Sequence, residues 1–194
     1  MVTVPRPDAD TPTRILDVAE RLVQRRGFNG FSYADVASEL DVTRASLHYH
    51  FAGKAELGKA LIERYASGFS DALSEIEARD ADAPSKLAAY AEIYAEVLRR
   101  ERMCLCGMLA AEYETLPPPM RDAVIRFFDD NEVWVQRILE QGEQEGTMRL
   151  DAGASEIARS IVSALEGAML VSRPYGDVAR FQLTADRLIG GLRT

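Results

Sequence analysis

Two cysteines, two histidines and one tryptophan in 194 residues leave little room for several kinds of chemistry. Cys104 and Cys106 are too few for a disulfide framework and are expected to be reduced. His48 and His50 stand two residues apart, so on a helix they project to different faces and do not clasp one ion. No metal site is expected. No Gly-rich phosphate loop, paired-carboxylate motif or Ser-His-Asp grouping can be defended, which leaves an enzyme as a remote reading and calls for no cofactor. The longest apolar stretch, Ile161 to Val171, is broken by Glu166 and falls short of the ~20 residues a membrane span needs. Met1 to Thr13 is a polar arm with Pro and Asp, unlike a secretory signal. These absences point to a cytoplasmic chain with no membrane partner.

What is present is the composition of a globular protein, 47% hydrophobic and 28% charged, with a net charge of −8. Acid overall opposes binding to phosphate, but its distribution matters more. Residues 1–66 carry 9 Lys+Arg and 9 Asp+Glu, whereas residues 67–194 carry 14 and 22. The excess acid lies downstream, so only the N-terminal third would be tolerated by nucleic acid.

Helical spacing runs through the whole chain, and no alternating strand pattern or internal repeat is visible. Thr11-Pro12 opens a first helix with Ile15, Leu16, Ala19, Leu22 and Val23 on one side, closed by Arg25, Arg26 and Gly27. Ser32-x-x-Asp35 resembles a capping box before a short second helix, and Thr43 caps a short third, Arg44 to His50. Two short capped helices around a tight turn at Asp41 make a helix-turn-helix candidate. A long fourth helix carries Leu57 to Ile76, and a fifth runs from the Asp82–Pro84 break to about Met103. The spacing predicts a sixth over Gly107 to Leu116, stopped by Pro117-Pro118-Pro119, and a seventh reaching Gly146. An eighth follows Gly153 and ends at Pro174, and a ninth is capped by Asp177. The expected architecture is all-α: an arm over 1–10, a three-helix head over 11–53, and a larger helical-bundle body over 54–194, about nine helices in all.

Val42-Thr43-Arg44-Ala45-Ser46-Leu47-His48-Tyr49-His50-Phe51, followed by Lys54 and Leu57, closely resembles the recognition-helix signature of the tetracycline-repressor (TetR) family. Ile15-Leu16 to Gly27-Phe28, Phe31-Ser32-Tyr33 and Val36-Ala37 stand where that family keeps its first two helices, so the resemblance covers about 60 residues. It implies a regulator, usually a repressor, with a DNA-binding head, a variable ligand-binding body and a two-fold dimer formed largely by the last two helices. One departure is His48, where the family more often places a tyrosine that touches phosphate.

On this reading the DNA-facing residues are Ser32, Tyr33, Thr43, Arg44, Ala45, Ser46, His48, Tyr49 and Lys54. Arg44 suits a guanine edge or a phosphate, Ser46 either base class, and Ala45 a thymine methyl. The resemblance assigns Tyr49, Lys54, Ser32 and Tyr33 to phosphates, while Ser32 and Thr43 also read as plain caps. In the body, Phe127, Asn131, Trp134 and Ile138 share a face with one polar group among apolar ones, as in a ligand pocket. Tyr65, Phe69, Tyr94 and Met108 join the candidate lining, or are ordinary core. Glu166, in an otherwise apolar helix, would hold a cationic or hydrogen-bonding ligand, pair with an arginine across a dimer, or lie at an exposed edge. Ile161 and Ala168, with the seam of Phe181, Ala185, Leu188 and Leu192, are expected at the dimer interface. The expected partners are therefore a near-palindromic operator, a second copy of the chain and an unidentified small-molecule effector. A thiol-redox regulator using Cys104 and Cys106 is the alternative.

Overall fold

The computed structural model describes residues 11–194, so the arm expected over 1–10 lies outside the described residues. Among the described residues nine α helices follow one another: α1 (Thr11–Arg26), α2 (Tyr33–Leu40), α3 (Arg44–His50), α4 (Lys54–Glu77), α5 (Ala83–Arg99), α6 (Leu105–Ala111), α7 (Pro118–Gln144), α8 (Ala154–Ser172) and α9 (Val178–Gly190). Two 3₁₀ turns, Tyr113–Thr115 and Arg173–Tyr175, extend the ends of α6 and α8. The only β pairing among the described residues is an isolated bridge between Met148 and Arg193.

Most helix ends sit where local chemistry puts them. Asp82 caps α5 by accepting from Ser85 N at 2.9 Å, with Pro84 in the first turn where its missing N–H costs nothing. Pro118 and Pro119 open α7 for the same reason. Two boundaries differ from the sequence expectation. α5 stops at Arg99, because Glu101 turns to a positive φ of 56°. α6 begins earlier than Gly107, because the Cys104 sulfur serves as its N-terminal cap, accepting from Gly107 N at 3.4 Å, and it ends at Ala111, where the chain passes into the 3₁₀ turn Tyr113–Thr115. Cysteine lies outside the usual capping set, so spacing alone does not find it.

In the first three helices, Ile15, Ala19, Leu22 and Val23 meet Val36, Ala37 and Leu47 in one buried core, shared with Leu57 and Leu61 of α4. Downstream, α7 packs along α8, α4 and α5, while α9 lies against α5 and α8. The centre of this bundle is aromatic: Tyr65 and Phe69 of α4, Tyr90 and Tyr94 of α5, Phe127 and Trp134 of α7 and Phe181 of α9 touch in edge and stacked pairs. One polar chain threads it. The Tyr90 hydroxyl lies 2.9 Å from that of Tyr94 and donates to Asn131 Oδ1 at 3.2 Å, and Asn131 Nδ2 donates to the Phe127 carbonyl at 2.7 Å. Removing one member leaves buried polar partners unsatisfied. Asn131→Leu is therefore expected to lower the unfolding free energy by about 1–3 kcal/mol, read as an earlier urea midpoint. An unchanged midpoint would show that the amide contributes nothing to the core.

Candidate nucleic-acid interface

α3 offers a face because only one of its seven residues is buried. Leu47 anchors it, while Arg44, Ala45, His48 and Tyr49 are exposed and Ser46 is half-buried. Thr43 Oγ1 accepts from Ser46 N at 3.2 Å, so the cap is formed and the exposed start of the helix is fixed. The tight turn before it depends on Asp41 at φ 54°, whose N–H satisfies the Ala37 carbonyl at the end of α2. Tyr49 is 76% exposed, an unusual position for a large ring without a partner, and its edge meets His50 at 5.1 Å.

Other expected contacts are committed elsewhere. The Ser32 hydroxyl donates to Asp35 Oδ2 at 2.6 Å and accepts from Asp35 N, closing the capping box and holding the Asp35 carboxyl below its ordinary pKa. Tyr33 is buried. Its hydroxyl donates to the Phe51 carbonyl at 3.0 Å, and burial pushes its phenol up to about 12. It joins α2 to the end of α3 instead of reaching for phosphate. Lys54 also turns inward, with Nζ donating to the Phe31 carbonyl and lying 4.6 and 4.4 Å from the Phe28 and Phe31 ring centres. Burial lowers its pKa. In this structure the Lys54 ammonium braces the turn between α1 and α2 from within, since a cation between two rings is held by their faces. His48 Nδ1 sits 3.1 Å from the Ala52 carbonyl, so in the neutral ring it spends its one hydrogen there and leaves Nε2 as an acceptor.

A contact that sequence reading did not single out fixes this unit to the body. Gly27 adopts φ 84°, turning the next two N–H groups to one point, where the Glu112 carboxylate receives Phe28 N at 2.5 Å and Asn29 N at 3.3 Å. Asn29 Nδ2 adds a bond of 2.7 Å to Thr115 Oγ1. A Cβ at position 27 would stand 2.6 Å from Glu112 Oε1, so glycine is required twice over. The Gly27 signal was legible as a helix stop, but its carboxylate partner 85 residues away was not.

In the body, the expected pocket face is filled. Asn131 is bonded at both ends of its amide, to Tyr90 and Phe127, and Trp134 stacks on Tyr90 at 5.5 Å while donating to Glu77 Oε2 at 3.2 Å. Phe69, Tyr94 and Phe127 are likewise buried against one another, whereas Tyr65 and Met108 are half-buried. Glu166 behaves differently. Its carboxyl presses toward α6, where a Cβ on Gly107 would meet Oε2 at 2.4 Å. Its Oε1 is sealed from solvent without a partner. Of the three readings for Glu166, an exposed edge is excluded.

Three residues expected at a dimer interface are core residues of their own chain: Ile161, Phe181 and Ala185 are buried, Phe181 at 1% exposure against Tyr94. Ala168, Leu188 and Leu192 are half-buried on the rim of that core. The 3, 4 spacing marks a buried face and does not say whose surface buries it. On α8 and α9 the large apolar residues left outside are Leu170, Val171 and Leu183, at 59, 60 and 61% exposure, while α7 exposes Ile125 and Val133. Among the described residues, no group of three or more His, Cys, Asp or Glu is placed to hold a metal ion.

Comparison with known proteins matches both parts. Residues 15–61 fit the family of bacterial regulatory proteins of tetR type, and residues 83–188 fit the tetracyclin repressor-like C-terminal domain. The HTH-type transcriptional repressor DhaR of Mycobacterium sp. (strain GP1) is 25% identical over 169 residues, 84% of this chain and 83% of that protein. A TetR-family transcriptional regulator from Agrobacterium tumefaciens superposes with a TM-score of 0.92 at 28% identity, covering 95% of this chain and 98% of that one. A TetR regulator from Legionella pneumophila gives 0.88 at 28% identity over 97% and 100%.

Two expected outcomes follow from these geometries. Arg44→Ala should weaken binding to the preferred DNA site by about 1–3 kcal/mol and relax preference at one position per half-site, whereas Lys54→Met should lower the melting temperature and leave the salt dependence of binding unchanged. A salt slope flattened by one unit in Lys54→Met would return that ammonium to phosphate. The second concerns Glu166, whose carboxyl burial raises from 4.5 to about 7. The folded chain then keeps a proton that the unfolded chain releases, so this contribution to stability is full below the ordinary carboxylate pKa and is lost as pH rises through about 7. Glu166→Gln should match wild type near pH 4 and exceed it at pH 8 by on the order of 2–3 kcal/mol in chemical denaturation. Parallel pH profiles for the two proteins would contradict the buried, unpaired carboxyl.

Proposed function

The chain belongs to the TetR family of bacterial DNA-binding regulators, and from that premise we propose that it is a repressor: a homodimer holding two α3 helices against successive major grooves of a near-palindromic operator, released when a small molecule binds in the body. The observation that carries this reading is the exposed, capped α3 face tied to the body through Glu112. The head comprises residues 11–53 and the body 54–194. A half-site spacing of about 34 Å is set by the dimer, so a small rotation of each head misplaces both helices at once.

The effector reading is supported by α6, which carries Glu112 near one end and faces Glu166 at the other. A ligand that supplies a donor to Glu166 Oε1 moves the helix that positions the head. The thiol-responsive alternative is less favoured, because Cys104 and Cys106 are buried and burial pushes both thiols well above their ordinary pKa, away from the reactive thiolate. No described helix is long and apolar enough to cross a membrane, and a regulator of this kind acts in the cytoplasm, where its DNA is.

DNA fragments retained by the purified protein are expected to share an inverted repeat, and a retained pool without a common motif would contradict the repressor reading. For the dimer, Leu170→Glu combined with Leu183→Glu should give a folded monomer that binds the selected DNA at least tenfold more weakly, whereas Phe181→Glu should fail to fold. Sedimentation of the double variant as a dimer would move the interface away from the exposed α8–α9 face.

A further inference from the structure

Where α5 ends and α8 turns into α9, the chain leaves a cavity of about 560 Å³ bounded by Leu98, Arg99, Glu101 and Arg102 on one side and Ser172 to Val178 on the other. This volume lies within the usual range for a small-molecule site. Its charges do not balance. Arg99 is committed to Glu92 at 2.6 Å and Glu96 at 3.1 Å. Asp177 caps α9 through Ala179 N at 3.0 Å and faces Arg180 at 3.7 Å, while Glu101 reaches away to Arg25 at 3.6 Å. Each lining carboxylate therefore has a cation of its own.

The remaining two guanidiniums have no acid. Arg173 donates to the Met108 sulfur at 3.4 Å and to the Arg25 carbonyl, and neither acceptor carries a charge. Arg102 makes no salt bridge among the described residues, and its Nε is sealed from solvent with no acceptor. Burial lowers its pKa, and the neighbouring Arg21, Arg25 and Arg100 act in the same direction against Glu20. Among the described residues neither guanidinium has an acid within salt-bridge reach, and one of them keeps a buried donor without an acceptor, which is costly. An oxyanion meets that need, because guanidinium pairs bidentately with two oxygens of a carboxylate or phosphate. Leu98, Pro174, Tyr175 and Val178 supply apolar wall for the rest of such a molecule.

We infer that this cavity is a binding site for a small organic anion, a carboxylate or phosphate ester held by Arg102 and Arg173. The site adjoins the strut between body and head: Arg173 donates to the carbonyl of Arg25 at the end of α1, and Met103 N donates to the carbonyl of Gln24 at 3.2 Å. An anion that recruits Arg173 competes with the first of these bonds and loosens α1. That regulatory consequence rests on the repressor reading, whereas binding itself does not.

The test is calorimetry on the full chain with benzoate and phenyl phosphate against the neutral benzyl alcohol and the cationic benzylamine. Both anions are expected to bind and the other two not. Arg102→Gln should weaken the anions at least tenfold, and Arg102→Lys should weaken them less, since it keeps the charge but loses the fork. Circular dichroism checks that each variant is folded. Equal binding of benzoate and benzyl alcohol, wild-type affinity in folded Arg102→Gln, or no heat with either anion at millimolar concentration would overturn the site. Gel shifts with the selected DNA separate the two claims: anions that bind and lower DNA affinity support the link to α1, and anions that bind without that effect overturn the link alone.

Discussion

One carboxylate holds the DNA-facing end of the molecule to the rest. Glu112, just after α6, takes the two N–H groups that Gly27 turns outward at the end of α1, and such anion-to-amide bonds contribute roughly 1.5–3 kcal/mol each when a charge is involved. The arrangement is a small backbone nest, built because a left-handed residue aligns successive amides. On the other side of the same helix end, Arg173 and Met103 N satisfy the carbonyls of Arg25 and Gln24, two of the acceptors that a helix terminus leaves open. The end of α1 is thus gripped from two directions by the body. Any shift of α6 or of the 100–103 loop reaches α1, then α2 and α3 through their shared core.

The head carries its DNA-facing groups on a scaffold stabilised from within. Tyr33 binds the end of α3, Lys54 fills the space between Phe28 and Phe31, and Leu47 is the anchor under the exposed stripe. These inward contacts leave Arg44, Ala45, His48 and Tyr49 free for a partner. The body, in contrast, concentrates acid on its surface and aromatic rings at its centre, and leaves Glu166 Oε1 and Arg102 Nε buried without a partner.

The fold was largely legible in the sequence, because caps and prolines act through neighbours a few residues away. Ser32, Thr43 and Asp177 cap the helices expected of them, and Asp82 caps α5 at the break expected there. What was not legible depends on which of two surfaces a side chain meets. Lys54 and Tyr33 carry the polar groups that phosphate contacts require, yet both point inward, a choice made by the packing of Phe28, Phe31 and Phe51. Phe181 and Ala185 have the spacing of a dimer seam, but α5 buries them first. Asn131 looked like a pocket anchor among apolar residues, and the nearby Tyr90 hydroxyl, 41 residues away in sequence, turned it into a closed link of the core. Glu112 gave no local signal, since its partners are backbone amides that any sequence carries.

The affinity of Glu112→Gln for the DNA selected by the wild-type protein, measured beside its melting temperature, tests this arrangement most directly. Glutamine keeps the size of the side chain and removes the charge that the two amides share. The expected result is binding at least tenfold weaker in a dimer that still melts cooperatively within a few degrees of wild type. Wild-type affinity in that variant would contradict the claim that the body positions the head through this carboxylate.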